Sequence, residues 1–155
     1  MYNNIMVYLA TDHAGFELKE KIKDYLKTAG YSVEDYGAHN FDQDDDYPDF
    51  ISKAAKAVSK NLDSKAIILG SSGQGEAMVA NKFPGVRAVV FYGNMDMIPL
   101  TREHNDANVL SIGARFLTAE EAIEAVRLFL ETQFTKEVRH VRRIEKIKQI
   151  ESHLK

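Results

Sequence analysis

The sequence AIILGSSGQGEAMVANK, residues 66–82, decides how the rest of the chain is arranged. The apolar run at 66–69 predicts a buried strand, the small residues that follow predict a tight turn, and the segment after them has helical periodicity. A strand, turn and helix of this kind aims a row of backbone N–H groups at one point. Such a point binds negative charge, so we expect an anion site at this turn.

Two nucleotide-binding motifs match this turn in part. The spacing Gly70-x4-Gly75 matches the start of a P-loop, but Glu76 stands where that motif requires its lysine. Gly73-x-Gly75 matches the start of a dinucleotide-binding fingerprint, but Met78 stands where a third glycine lets helix and strand pack closely. The residues therefore argue against both kinds of nucleotide site.

Hydroxyl groups at Ser71 and Ser72 and the carboxylate of Glu76 share this short turn. They place acid and base groups beside an oxyanion site. A structural explanation is also open, because a negative charge in the first helical turn is favourable by about 0.3–1 kcal/mol and serine is a common helix cap. The turn permits acid–base chemistry without requiring it.

Length and composition limit the class of protein. The 155 residues, 45% hydrophobic and 28% charged, predict one globular domain over residues 1–155. No apolar run approaches the ~20 residues of a membrane span and no signal peptide is visible, so we expect a cytoplasmic protein without a membrane partner. The absence of cysteine leaves carboxylate, histidine or lysine as a catalytic base, and the net charge of −3 argues against a nucleic-acid partner.

Apolar runs and helical patterns alternate along the chain. Strands are predicted at residues 5–10, 32–37, 66–69, 86–92 and 108–113. Helices are predicted from 16 to the terminating Gly30, from Pro48 to about 60, after the central turn, at 94–104, from a capping box at 118–121 through 130, and at 135–152. This alternation predicts a three-layer α/β/α Rossmann-like domain with a five-stranded parallel sheet.

In such sheets ligands bind at the carboxyl ends of the strands. Four segments are predicted to bring polar groups to that edge, and these groups are Asp12, His13, residues 71–76, His104, Asn105 and Arg115. We therefore expect one site built from several loops.

Motifs spread over nearly the whole chain resemble those of the ribose-5-phosphate isomerase B family, which includes the galactose-6-phosphate isomerase subunits. They are DHAGF at 12–16, DYP at 46–48, GxG at 73–75 with ANK at 80–82, HNDxN at 104–108, GAR at 113–115 and RHxxR at 139–143. The resemblance implies interconversion of an aldose phosphate and a ketose phosphate without metal or cofactor, in dimers with active sites between the subunits. Many members carry a cysteine base where this chain has Gly70. The chain is similar to the branch in which a glutamate at the helix start, here Glu76, is the base.

Aldose–ketose isomerisation moves a proton between adjacent carbons through an enediolate, which requires a base and donors around an oxyanion. Glu76 is the candidate base, the backbone N–H groups of residues 71–75 are the candidate donors, and Ser72 is a candidate proton carrier. The helix dipole keeps such a base ionised, whereas burial raises its basicity. The sequence leaves that balance open.

The remaining site residues are assigned by chemistry and by the resemblance. His104 is the candidate acid for opening the sugar ring, since histidine exchanges protons near neutral pH, whereas His39, His140 and His153 receive no role. The predicted substrate-binding residues are Asp12, His13, Tyr47, Ser71, Gly73, Gln74, Gly75 and Asn105. Arginine suits bidentate binding of phosphate, and the predicted phosphate ligands are His13, Arg115, Arg139 and Arg143.

The predicted function is a cofactor-free isomerase of ribose 5-phosphate and ribulose 5-phosphate. A six-carbon isomerase of the galactose-6-phosphate or allose-6-phosphate type and a non-catalytic sugar-phosphate-binding module remain alternatives. We expect no metal, because adjacent residues such as Asp12 and His13 rarely point at one ion and no HExxH spacing occurs. The resemblance implies a homodimer, with a tetramer left open, in which the last helix supplies Arg139 and Arg143 to the partner's site.

Overall fold

The computed structural model describes residues 4–154. The strands are β1 (Met6–Thr11), β2 (Ser32–Asp35), β3 (Lys65–Gly70), β4 (Ala88–Phe91) and β5 (Val109–Gly113). The α-helices are α1 (Phe16–Thr28), α2 (Tyr47–Lys60), α3 (Gln74–Ala80), α4 (Met97–Glu103), α5 (Ala119–Glu131) and α6 (Val138–His153), and two short 3-10 helices cover His13–Gly15 and Ala114–Phe116. All strand pairs are parallel, in the order β2-β1-β3-β5-β4.

The sheet is covered by helices on both faces, as predicted. Successive side chains of a strand point to opposite faces, so Leu9 and Ile67 pack with α1, α4 and α5, whereas Ala10 and Ile68 pack with α2 and α3. The side chains on both inner faces are fully buried along the central strands. The three-layer α/β/α prediction is confirmed. Within residues 4–154, none of the helices has the length and apolar character needed to cross a bilayer.

Local sequence signals mark several element ends. Gly30 has a left-handed φ of 86° and donates its N–H to the Lys27 carbonyl at 3.1 Å, which ends α1. Thr118 and Glu121 form the predicted capping box at the start of α5. The fourth strand is shorter than predicted because the backbone N–H of Arg87 donates to a side-chain oxygen of Asn108, at 2.7 Å, and not to a neighbouring strand.

The ends of the parallel strands define two edges of the sheet. At the carboxyl edge, Gly70 pairs with Gly113 and Leu69 pairs with Thr11. At the amino edge, the Asn108 carbonyl accepts the N–H of Ala66 at 3.0 Å. Each helix between two strands carries the chain from the carboxyl edge back to the amino edge, as parallel pairing requires.

Candidate active site

The glycine turn at 71–75 is fixed to β5. Gly73 has a φ of 76°, and a Cβ there would lie 3.1 Å from the backbone of Gly113. The buried Ser111 hydroxyl donates to the Gly73 carbonyl at 2.6 Å, and the Arg115 N–H donates to the Ser71 carbonyl at 3.1 Å. The turn is therefore held in one position at the centre of the carboxyl edge.

Glu76 lies in the first turn of α3, and only 4% of it is exposed. Its carboxylate occupies the space next to Gly70, because a Cβ built on Gly70 would overlap both the Cδ and an oxygen of Glu76. This is the position at which the resemblance places a cysteine base in other members. Here the glutamate carboxylate fills the volume that a side chain at residue 70 would require.

Two carboxyl groups, those of Glu76 and Asp12, are buried at this edge. Burial raises the pKa of Glu76, the charge of Asp12 adds to the rise, and a backbone hydrogen bond opposes it. Burial also raises the pKa of Asp12, whose Oδ1 accepts the N–H of Ala14 at 2.9 Å. The balance that the sequence left open is thus decided by burial, which makes Glu76 a stronger base than an exposed glutamate.

His13 is held by an acidic residue that the sequence analysis did not identify. Oδ1 of Asp45 lies 2.6 Å from Nδ1 of His13 and accepts the backbone N–H of His13 at 3.0 Å. This hydrogen bond raises the pKa of His13. Asp45 belongs to an acidic loop in which no sequence signal distinguishes it from its neighbour Asp44.

Asp12, His13 and Asp45 each offer a ligand atom, and these atoms lie within 4.8 Å of one another. Asp12 and His13 are therefore an exception to the expectation that adjacent residues rarely point at one position, since both converge with Asp45. Such a set could hold a cation, although Nδ1 of His13 is already bonded to Asp45. The absence of a metal stays a prediction.

The other predicted residues of the carboxyl edge surround the same turn. The hydroxyl of Tyr47 lies over Gly75, where an added Cβ would come within 2.5 Å of it. The Ser72 hydroxyl accepts the N–H of Gln74 at 3.3 Å. Arg115 is exposed on the 3-10 helix that packs near the one at His13–Gly15. One edge thus brings together Asp12, His13, Tyr47, residues 71–76 and Arg115.

His104 and Asn105 do not join this group within one chain. They follow α4, which has already returned the chain to the amino edge, where the Asn105 carbonyl accepts Nε of Arg87 at 3.1 Å. The prediction that they lie at the carboxyl edge is wrong, because they precede a strand and do not follow one. The five residues of β5 alone separate the two edges by roughly 16 Å.

The amino edge carries a second cluster of predicted residues. The ring of His104 stacks on that of His140, with centroids 4.4 Å apart and planes 17° apart. His140 lies in the first turn of α6, which also carries Arg139 and Arg143, and both arginines are exposed. A further contact, from the Gly85 N–H to a carboxylate oxygen of Glu151 at 3.1 Å, fixes α6 to this edge. No role was predicted for His140, although it lies inside the RHxxR motif.

Comparisons with known proteins agree with this architecture. A family model described as Ribose/Galactose Isomerase matches residues 7–147. The ribose-5-phosphate isomerase B of Mycolicibacterium paratuberculosis is 45% identical over 139 residues, which cover 90% of this chain and 87% of that protein. The probable ribose-5-phosphate isomerase B of Mycoplasma genitalium is 42% identical over 142 residues, covering 91% and 92%.

Solved structures give the same result. Ribose-5-phosphate isomerase B from Mycoplasma genitalium, solved with bound ribulose-5-phosphate, superposes with a TM-score of 0.93 at 39% identity and covers 97% of this chain and 99% of its own. The enzyme from Clostridium thermocellum gives 0.92 at 38% identity, covering 97% and 100%. The chain therefore belongs to the ribose/galactose isomerase family of enzymes.

Proposed function

We propose that this protein interconverts ribose 5-phosphate and ribulose 5-phosphate through an enediolate. The observation that carries the proposal is the buried carboxylate of Glu76, which stands beside a fixed turn of backbone N–H groups. Family membership supports the reaction class, and the relative from Mycoplasma genitalium was solved with ribulose-5-phosphate bound.

Glu76 acts as the base that moves the proton. It removes the proton from C2 of the aldose and returns it to C1 of the enediolate, which produces the ketose. The backbone N–H groups of residues 71–75 stabilise the negative charge on the substrate oxygen. Ser72, whose hydroxyl lies at the start of α3, carries the proton between the two oxygens. The raised pKa of Glu76 supports this assignment because a stronger base removes a carbon-bound proton more readily.

The rest of the carboxyl edge orients the substrate. Asp12 accepts hydrogen bonds from sugar hydroxyls, and Arg115 and His13 bind the phosphate group. The positions that line the sugar are Tyr47, Ser71, Gly73, Gln74 and Gly75. Their packing supports this role, since the Tyr47 ring lies directly over Gly75.

The amino edge of a second copy completes the site. His104 opens the sugar ring, Asn105 binds a hydroxyl, and Arg139 and Arg143 bind phosphate. A single chain holds these groups away from Glu76, so we assign all of them to the partner's site, which extends the sequence prediction for the two arginines. Exposed apolar side chains along α6 support a homodimer, with a tetramer left open, and they include Val138, Val141, Ile147 and Ile150. A symmetric dimer then contains two equivalent composite sites.

Turnover in deuterated water tests the proposal. With ribose 5-phosphate, we expect ribulose 5-phosphate to form and deuterium to appear at the carbon that receives the proton, detected by NMR. A binding module would give neither product nor deuterium, and this result would overturn the proposal. A higher kcat/KM for galactose 6-phosphate or allose 6-phosphate would assign the chain to the six-carbon isomerases.

A further inference from the structure

The carboxylate of Asp45 and the ring of His13 fix each other. Oδ1 of Asp45 accepts both the backbone N–H and the Nδ1–H of His13, at 3.0 and 2.6 Å. Oδ2 of Asp45 is buried and has no hydrogen-bond partner among residues 4–154. The Asp45 side chain is only 10% exposed. His13 is therefore the residue that holds this carboxylate in place.

We propose that Asp45 is a positioning residue that orients the His13 imidazole and keeps it cationic, so that Nε2–H donates to the substrate phosphate. This inference rests on the proposed function, in which His13 binds that phosphate. Asp45 itself does not touch the reacting carbons in this scheme. Its effect is on phosphate binding through His13.

The number of protons on the His13 imidazole determines which hydrogen bonds the ring can donate. A neutral imidazole has one N–H, and if Nδ1–H donates to Asp45, Nε2 is an acceptor that repels a phosphate oxygen. Only the doubly protonated imidazolium donates to Asp45 through Nδ1 and to phosphate through Nε2 at once. The negative charge of Asp45 stabilises the doubly protonated ring. A neutral acceptor in the same place would stabilise it far less.

The groups around His13 act in both directions, and the acidic ones prevail, since the pKa of His13 is raised. The hydrogen bond that His13 donates to Asp45 is the largest cause of its raised pKa, the charges of Asp12 and Asp42 add to the rise, and burial opposes it. Arg115 is the cation on the neighbouring 3-10 helix. The edge of the Phe41 ring contacts the imidazole, with centroids 6.0 Å apart and planes at 85°, which limits rotation of the ring.

The variant Asp45→Asn separates charge from shape. The amide still accepts Nδ1–H but carries no charge. We expect the pKa of His13, measured by NMR titration of its ring protons, to fall, and KM for ribose 5-phosphate to rise about fivefold at about pH 8. The two KM values should converge below about pH 6, where His13 is protonated in both proteins, and kcat should stay within about twofold.

Asp44→Asn is the matched control, because it removes a charge from the same loop at an exposed residue without a hydrogen bond from its side chain to His13. It should leave the His13 titration and the KM profile as in the wild type. Equal His13 titrations in Asp45→Asn and wild type would overturn the inference. So would a rise in KM that is the same at every pH, since that indicates a purely structural role.

The NMR readout does not depend on turnover. Inorganic phosphate serves as the probe, and its binding to the wild type should shift the His13 ring resonances and weaken in Asp45→Asn at about pH 8. A protein that isomerises no sugar phosphate but shows both effects would reject the proposed function and keep the Asp45–His13 coupling. Should Asp45→Asn not fold, a wild-type His13 pKa at or below about 6.5 would overturn the inference.

Discussion

The carboxyl edge and the amino edge of the sheet carry different halves of the same proposed chemistry. The carboxyl edge holds the proposed base and the proposed oxyanion turn, and the candidate base, Glu76, is buried. The amino edge holds the stacked pair of His104 and His140 together with two exposed arginines. The first half is built from strand ends that meet by the geometry of a parallel sheet. The second is built from one loop and the last helix.

This difference shows why one chain is not sufficient for the proposed reaction. A proton transfer requires its acid and base within hydrogen-bond reach of one substrate, and the two edges are separated by at least the length of β5. In the proposed dimer, a second copy would bring the missing half to each site. Substitutions in the two halves are therefore expected to have different effects.

The largest expected effect is at the base. Glu76→Gln keeps the size of the side chain and removes its basicity, so kcat should fall by about a thousandfold while KM changes little. Steady-state kinetics measure both. Glu120→Gln is the control, since Glu120 also lies in a first helical turn but is exposed on α5. Near-normal turnover of Glu76→Gln would show that the carboxyl edge does not hold the base.

Mixed dimers test where the amino edge acts. A heterodimer of Glu76→Gln with His104→Asn, selected through two different tags, contains one fully intact site if His104 acts on the partner. Its activity should recover to about half that of the wild type. Arg139→Ala in place of His104→Asn should give the same recovery.

The matched control pairs two variants of the same edge. In a heterodimer of Glu76→Gln with Arg115→Ala, one site carries the first substitution in its carboxyl half and the other site carries the second. Neither site is intact, so the activity should not recover. Recovery in this control, or none with His104→Asn, would contradict the assignment of the two edges to different subunits.

Gly70 tests how tightly the base is positioned. Gly70→Ala introduces a Cβ into the volume of the Glu76 carboxylate. Displacing the carboxylate should lower kcat by about a hundredfold, because small errors in the geometry of a reacting group are costly. The double variant with Glu76→Gln should be no slower than Glu76→Gln alone. A further loss in the double variant would show that Gly70→Ala acts on something other than the base.

Much of the fold and of the carboxyl edge could be predicted from the sequence. Hydrophobic periodicity marked the strands, Gly30 and the box at Thr118 marked helix ends, and the rule for parallel sheets brought Asp12 and Arg115 to the glycine turn. These signals lie within short stretches of sequence, and the geometry of the parallel sheet then determines where the residues lie relative to one another.

The rest depended on contacts that no local pattern encodes. His104 was assigned to the wrong edge because it follows a helix, and the rule applies only to residues that follow a strand. Asp45 could not be distinguished within an acidic loop. The pKa of Glu76 is raised by burial and lowered by a backbone hydrogen bond. How deeply the carboxylate is buried depends on how α3 packs against Gly70, which no local pattern encodes.

The smallest expected effect concerns His140. Burial lowers its pKa, and the neighbouring His104 adds to the decrease, so the folded state favours the neutral ring. The unfolded chain takes up a proton near the ordinary value of about 6.5, and stability is therefore lost as the pH falls from about 7.5 to 5.5. His140→Phe keeps an aromatic ring for stacking but does not titrate, so its Tm should fall less than that of the wild type over this range.

Thermal unfolding at several pH values measures this difference, and His39→Gln, which removes an exposed histidine, should behave as the wild type does. Equal decreases in Tm for His140→Phe and wild type would mean that His140 is charged in the folded protein. A neutral His140 instead provides a flat surface for the His104 ring without adding charge.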